Sequence, residues 1–321
     1  MLIDLETPIA SLERTLQDLG WIEEERVLDI SSAGEGNMNV VLRIKTSQRS
    51  IILKQSRPYV QKYPSIPAPI ERIDVEVKFY QSLNDSLISS HLPEVVHYAP
   101  EHHLLMMEDL GDIKDLTSIY HNRSIDDTTL KELVDIAYHT HTVSVDVGFP
   151  ANLELRQLNH QHIFTLPYDS DNGFSLDDVQ SGLQELATPY QNNQLLKSTI
   201  AEMGEQYLTD GATLLHGDYY PGSWMTTGKQ VFVLDPEFAH LGRAEFDIGV
   251  MSAHIIMATH DPSYLDKIIT LYRGELHKSD LRRNTGIEIF RRLIGLAQLP
   301  LTRSLQEKSE LLDMAQQFIL S

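Results

Sequence analysis

The hydrophobic pattern changes period several times along the chain. Over residues 7–19, Ile9, Leu12, Leu16 and Leu19 recur at helical spacing and predict one amphipathic helix. Residues 26–55 read instead as three strands, short and β-rich, with glycines between the first two. Residues 56–70 carry Pro58, Pro64, Pro67 and Pro69 and read as a proline-rich loop. Helical spacing returns over 71–85, where Ile73, Val77 and Tyr80 share a face, and strands follow near 94–107. Beyond about residue 111 the pattern is mainly helical: 126–145, 176–189, 191–208, 246–259, 261–274, 284–297 and 303–320. One hairpin, 213–235, interrupts it. This order predicts an α+β chain with an antiparallel N-terminal sheet lobe (1–109) and a mainly helical C-terminal lobe (110–321) around one cleft.

Polar residues placed against this pattern carry the candidate chemistry. The hairpin holds His216-Gly217-Asp218-Tyr219-Tyr220-Pro221-Gly222-Ser223, then an apolar strand running into Asp235-Pro236-Glu237. Phosphoryl transfer needs a group to orient the attacking hydroxyl and hard oxygens for the metal on the phosphates. Asp218 can accept the hydroxyl proton. Asp235 and Glu237 stand next but one at the strand end, so strand alternation would point both to one side. Ser223 occupies the position of a second metal-side ligand.

Upstream, Gly34-Glu35-Gly36-Asn37-Met38-Asn39 would let backbone approach a phosphate. Lys54 ends an apolar strand, with Glu76 as the candidate partner and Glu71 and Asp74 as alternatives. Leu104 to Gly111 runs from an apolar strand into a polar turn, where backbone near Glu108 and Leu110 could bond adenine. Each fragment alone has a plainer reading. A Gly-Asp pair is ordinary turn chemistry, a Gly loop an ordinary hairpin tip, and Lys54 a snorkelling surface lysine. Their order is the rarer observation.

That order resembles the aminoglycoside phosphotransferase and choline kinase superfamily, with its protein-kinase-like two-lobed fold. Within it the chain is most similar to the 5-methylthioribose kinases. The matches are the loop 34–39, Lys54-Gln55-Ser56-Arg57-Pro58-Tyr59-Val60, Met107-Glu108-Asp109-Leu110, Asp235-Pro236-Glu237-Phe238-Ala239 with Gly242 and Phe246-Asp247-Ile248-Gly249, and Arg291-Arg292-Leu293-Ile294-Gly295-Leu296-Ala297. The resemblance implies ATP and Mg²⁺ as cofactors and a small-molecule alcohol as substrate, 5-methylthioribose or a related pentose. It implies Asp218 as the base, and Asp235, Glu237 and Ser223 on the metal. It places Gly34, Gly36, Asn37, Asn39, Lys54, Glu76, Glu108 and Leu110 around the nucleotide. Arg291 and Arg292 would face the acceptor sugar and the transferred phosphate; read from the helix alone, they flank its apolar face and could be solvated. Asp247 reads as an acid bracing the catalytic loop. The chain departs from the family at Tyr219-Tyr220-Pro221, expected on the acceptor-pocket floor, and this opens the acceptor to question. An amino-alcohol or aminoglycoside kinase and a nucleotide-binding pseudokinase are the alternatives.

Charge and composition narrow the partners. The 46 acidic against 26 basic residues give a net charge of −20, which disfavours nucleic acid and anionic membrane surfaces. There is no cysteine, so thiolate chemistry is excluded. The acidic start lacks a signal-peptide pattern, and the longest apolar stretch, 248–258, contains His254 and is too short for a bilayer. A cytoplasmic protein is the expectation, with oligomeric state open and a homodimer among the options. His139 with His141, and His160 with His162, lack a third ligand and read as bland polar positions rather than metal pairs.

Overall fold

The computed structural model describes residues 2–34, 38–145 and 148–321. The first helix, α1 (Ile9–Asp18), starts after Pro8 and ends where Gly20 turns left-handed at φ 70°. It buries Leu12 and Leu16, while Ile9 stays largely outside. Strands β1 (Val27–Ser32), β2 (Val40–Thr46) and β3 (Ser50–Gln55) follow as expected. The prolines of 56–70 do not leave a plain loop: β4 (Tyr59–Val60) and β5 (Tyr63–Pro67) pair as a short hairpin. Prolines are tolerated there because this ribbon is all edge. Helix α2 (Arg72–Leu83) leads to β6 (Val95–Ala99) and β7 (Leu104–Glu108).

Five of these strands form one antiparallel sheet in the order β1-β2-β3-β7-β6. Its two faces follow the period-two rule. Leu42, Ile44, Ile51, Leu53, Leu104 and Met106 pack with Leu12 and Leu16 of α1. Leu105 and Met107 point the other way and join Ile73, Phe79 and Leu83 of α2 in the larger apolar cluster of the helical part. Lys54 shares that second face, which directs its ammonium toward the helices.

Short strands and helices complete the chain. They are β8 (Lys114–Asp115), α3 (Ser118–Asn122), α4 (Asp127–Thr142), α5 (Leu153–His160), α6 (Leu183–Gln191) and α7 (Gln194–Leu208). Then come β9 (Thr213–Leu215), β10 (Trp224–Thr226), β11 (Val231–Val233), β12 (His240–Gly242), α8 (Ala244–Thr259), α9 (Ser263–Leu271), α10 (Lys278–Ile294) and α11 (Leu305–Leu320). The structure departs from the expected helices in three places. Helix α3 is not among the expected ones, and neither are α5 and the π-turn after it, Gln161–Thr165, where Leu155, Asn159 and Ile163 make a face interrupted by a polar residue. The stretch expected as one helix over 176–189 opens with a separate 3-10 turn, Leu176–Asp178, broken from α6 by Gly182 at φ 86°.

Helix α8 is buried from Phe246 through Ala258, its whole circumference there covered by neighbours that include α10. Its apolar run is therefore a core helix. Among the described residues, no helix is long and apolar enough to cross a membrane.

Candidate active site

The loop between β9 and β10 is held by one buried acid. Asp247, in the first turn of α8, accepts the His216 N–H at 2.7 Å and the Gly217 N–H at 3.0 Å. His141 Nε2 lies 3.2 Å from the same carboxylate. Asp247 is thus the bracing acid expected from the sequence. The Leu234 carbonyl can only accept, so the His216 nitrogen 2.9 Å from it, Nε2, carries the proton. His216 Nδ1 then accepts from the Asp218 N–H at 3.3 Å, and burial keeps the ring neutral by lowering its pKa. Gly217 sits at φ 83°, where a Cβ would stand 2.2 Å from the Phe238 carbonyl oxygen. Only glycine fits this crossing of the loop and the 236–238 turn. Ser223 is buried, and its hydroxyl donates to the Asp218 carbonyl at 3.0 Å, closing the loop on itself.

Asp218 faces α10. Its Oδ1 lies 3.2 Å from Arg292 Nη2 and 3.5 Å from Arg291 Nη1. The two arginines, which could have been solvated, are buried. The Arg292 guanidinium lies 4.8 Å from the centre of the Tyr220 ring, a cation–π contact, and burial pushes the Tyr220 hydroxyl up to about 12. Tyr219 corrects the expectation of an aromatic pair on the pocket floor. Its side chain turns into the core, its ring packs edge-on against Trp224, and its hydroxyl donates to the Leu133 carbonyl at 2.7 Å. Consecutive loop residues diverge, and the buried direction takes the residue whose hydroxyl finds an acceptor.

On the sheet, Lys54 meets Glu76 at 2.7 Å and Asp235 at 2.7 Å. Of the three acids considered on α2, Glu76 is the one brought to it. Burial works against the Lys54 charge, but the Asp235 and Glu76 carboxylates outweigh it and raise its pKa above the ordinary lysine range. The Asp235 side chain is 51% exposed, and its pKa is lowered by Lys54 against the opposing effect of burial. Strand alternation does not relate Asp235 to Glu237. Strand β11 stops at Val233, Asp235 is left-handed at φ 62°, and Glu237 stands in the 3-10 turn Pro236–Phe238. Glu237 is tied from two sides, accepting from Asn39 Nδ2 at 2.8 Å with Arg72 Nε at 3.4 Å. Burial pushes its pKa up to about 7. One oxygen of Asp235, Oδ2, and one of Glu237, Oε1, have no hydrogen-bond partner among the described residues.

Asn39 also accepts from the Ser56 hydroxyl at 3.0 Å, which joins the end of the glycine loop to β3. Gly34 follows the end of β1; Gly36 and Asn37 lie outside the described residues. Glu108 closes β7, its N–H donating to the Glu94 carbonyl at 2.9 Å, and the Leu110 N–H has no partner among the described residues. Both residues line a cavity of about 510 Å³.

Three groups escaped the sequence reading. Arg43 of β2 clamps Asp109 with two bonds, 2.8 and 3.0 Å, and reaches the Gly111 carbonyl at 2.9 Å, stiffening the segment around Leu110. Arg72 is buried and donates to the carbonyls of Met38, Arg57 and Pro69, so it fixes the glycine loop and the β4–β5 ribbon to α2. Glu288 receives Arg291 and Arg292, further along α10. Only this last one left a signal, its spacing of three and four residues from the pair.

Residues 29–283 match the model of the Phosphotransferase enzyme family. The chain belongs to that family. As a member of it, the chain is 29% identical over 267 residues to a methylthioribose kinase of Exiguobacterium sibiricum, covering 79% of this chain and 67% of that kinase. A methylthioribose kinase of Bacillus cereus is 26% identical over 253 residues, covering 75% and 63%. The chain thus spans about two thirds of the length of these curated relatives. Solved structures of the same fold include an ethanolamine kinase of Plasmodium vivax, with TM-score 0.55 at 12% identity over 100% of this chain and 89% of that one. The choline kinase LicA of Streptococcus pneumoniae gives 0.52 at 12% over 96% and 97%. The protein-kinase-like fold of the phosphotransferase family, with an antiparallel sheet followed by a helical part, is therefore the fold of this chain.

Proposed function

We propose that the chain is an ATP-dependent kinase that moves the γ-phosphoryl group to a sugar hydroxyl, 5-methylthioribose or a related pentose. The observation that carries this reading is the Asp218 carboxylate, set at 3.2 and 3.5 Å from two buried arginines, on a loop that the β10–β11 hairpin joins to the Lys54–Asp235 pair. A base and phosphate-binding cations held in one site are what in-line transfer requires. Residues 1–109 would form the nucleotide lobe and 110–321 the catalytic and acceptor lobe. Asp218 would orient and deprotonate the hydroxyl. Lys54, oriented by Glu76, would hold phosphate, with Gly34, Gly36, Asn37 and Asn39 over the nucleotide. Backbone at Glu108 and Leu110 would meet adenine, and the Leu110 N–H has no competing partner among the described residues.

The oxygens of Asp235 and Glu237, with the Ser223 hydroxyl in reserve, form a hard donor set that fits Mg²⁺. The ion, when bound, would neutralise charge on the phosphates. Arg291, Arg292 and Tyr220 would face the acceptor. Two arginines set against Asp218 and Glu288 leave that wall electrically balanced, which suits a neutral polyol better than a cationic amino-alcohol or aminoglycoside. A cytoplasmic location and the methionine-salvage role of such a kinase go with this reading.

The test is a coupled ADP-release assay with Mg-ATP over 5-methylthioribose, ribose, choline, homoserine and kanamycin. Saturable turnover on 5-methylthioribose, abolished in Asp218→Asn, is the expected result. Turnover on choline or kanamycin alone would replace the acceptor class, and ATP binding with no turnover on any acceptor would count against the kinase reading.

A further inference from the structure

Arg291 and Arg292 are consecutive on α10, so the helix sends their side chains out about 100° apart. Both guanidiniums nevertheless converge on one oxygen, Asp218 Oδ1. Glu288 makes that possible. One turn earlier on the same helix, its Oε1 accepts Arg292 Nε at 2.6 Å and its Oε2 accepts Arg291 Nη1 at 3.2 Å. Each contact is shorter than that arginine's contact to Asp218, 3.2 Å for Arg292 and 3.5 Å for Arg291. Glu288 is 2% exposed and is the stronger partner of both cations.

Glu288 is itself oriented. His254 Nε2 stands 2.9 Å from Oε1. An ionised carboxylate only accepts, so Nε2 carries the proton, and His254 Nδ1 accepts from the Tyr120 hydroxyl at 2.5 Å. Asn159 Oδ1 takes Arg291 Nη2 at 3.2 Å from the far side. All of these residues are buried. Tyr120, His254, Glu288 and the arginine pair thus form one connected polar chain that ends at Asp218.

We infer that Glu288, oriented by His254, is a positioning residue that holds the two guanidiniums back from closing on Asp218. The inference rests on Asp218 being the base of the proposed reaction. With Glu288 charged, the arginines are satisfied and aimed, and the Asp218 carboxylate keeps a free oxygen for the acceptor hydroxyl. Without that charge, two buried cations have one carboxylate between them, and the nearest relief is a full ion pair with Asp218, which takes the base out of use.

Glu288→Gln in the full chain is the test, measured beside wild type in steady-state kinetics and in a crystal structure. The expected result is a fall in kcat of about 100-fold, as for a misplaced reacting group, with KM for ATP unchanged within about twofold. The double variant Glu288→Gln/Arg291→Gln removes one cation with the anion; its kcat is expected to recover about 10-fold of the loss, while the missing Arg291 contact raises the KM for the acceptor. A merely structural role for Glu288 would make the double variant worse. Should Glu288→Gln fail to fold, Glu288→Asp keeps the charge one methylene shorter and is expected to lower kcat about 10-fold with KM for ATP unchanged. Unchanged kcat in Glu288→Gln, or no recovery in the double variant, overturns the inference. If wild type turns over no acceptor, the proposed function fails, and the crystal structure still decides the inference. Arginines drawn into a two-bond pair with Asp218 support it, and arginines left in place overturn it.

Discussion

Replacing Gly217 by alanine tests whether the 216–223 loop is set by its crossing with the 236–238 turn. At φ 83° an alanine carries the left-handed penalty, about 1–2 kcal/mol. The added Cβ would also stand 2.2 Å from the Phe238 oxygen, 2.6 Å from its carbonyl carbon and 2.9 Å from its Cβ. Two of these three atoms are backbone, so relief requires moving the loop or the turn, an overpacking cost of about 1–3 kcal/mol. The sum, about 2–5 kcal/mol, corresponds to a melting temperature lower by roughly 5–15 °C. Gly228→Ala is the matched control, because Gly228 has φ 81° but nothing within 4 Å of its would-be Cβ. That variant isolates the backbone term and should lose only about 1–2 kcal/mol. Thermal melts of both variants, with turnover measured well below either transition, separate the two costs. Gly217→Ala should also lose about 100-fold in kcat, since the residue after it is Asp218. Equal melting temperatures for the two variants, or a Gly217→Ala enzyme with normal kcat, would refute the reasoning.

Asp218→Asn should abolish turnover while ATP binding, measured by calorimetry, stays within about twofold of wild type; joint loss of both argues against Asp218 as the base. Lys54→Met strands the buried Glu76 carboxylate and should cost about 3 kcal/mol in denaturant titrations as well as ATP affinity, so a variant of native stability would show that the pair is not a buried one in solution. His240 has its pKa pushed down from 6.5 to about 4, by burial first and by Arg156 second. Between those two values the unfolded chain takes up a proton that the folded chain refuses, so stability falls as pH drops through this window. From pH 7 to 4.5 the residue should contribute a loss of about 2 kcal/mol. His240→Gln should flatten that part of the stability–pH curve, and an unaltered slope would remove His240 as the cause.

Much of the fold could be read from the chain because burial and period agree there. Leu12 and Leu16 of α1, the alternation Leu42–Ile44 in β2, and Ile73 with Tyr80 of α2 are legible because each element buries one face. Helix α5 was not legible, since Arg156 and Asn159 are buried polar residues on its inner face, satisfied by the Tyr207 carbonyl and the Tyr207 hydroxyl. Those partners are 51 and 48 residues away, and no local pattern announces them. The site divides along the same line. Lys54 and Glu76 follow from a strand and a helix whose buried faces converge. Tyr219 was misplaced because adjacent loop residues have no period to say which one turns inward. Arg72 looks like an ordinary charged helix start, yet it is among the most deeply buried side chains, because its carbonyl acceptors exist only once the ribbon folds over it.

The charges of the site fall into two separately paired sets. In one set Lys54 stands between Glu76 and Asp235, and Arg72 lies against Glu237. Three carboxylates face two cations there, so a divalent cation would be drawn to this set. In the other set Asp218 and Glu288 balance Arg291 and Arg292, with His254 kept neutral by a pKa lowered to about 4 through burial. In the proposed reaction a neutral acceptor would meet no net field on that wall, while the transferred phosphoryl would find two guanidiniums already aimed by Glu288. Adding a cationic amine to the acceptor would desolvate it against those guanidiniums, and adding a carboxylate would set it against Asp218. Discrimination would therefore come from the balance between Glu288 and the arginine pair, which is why the same pair of variants at Glu288 and Arg291 bears on acceptor choice as well as on rate.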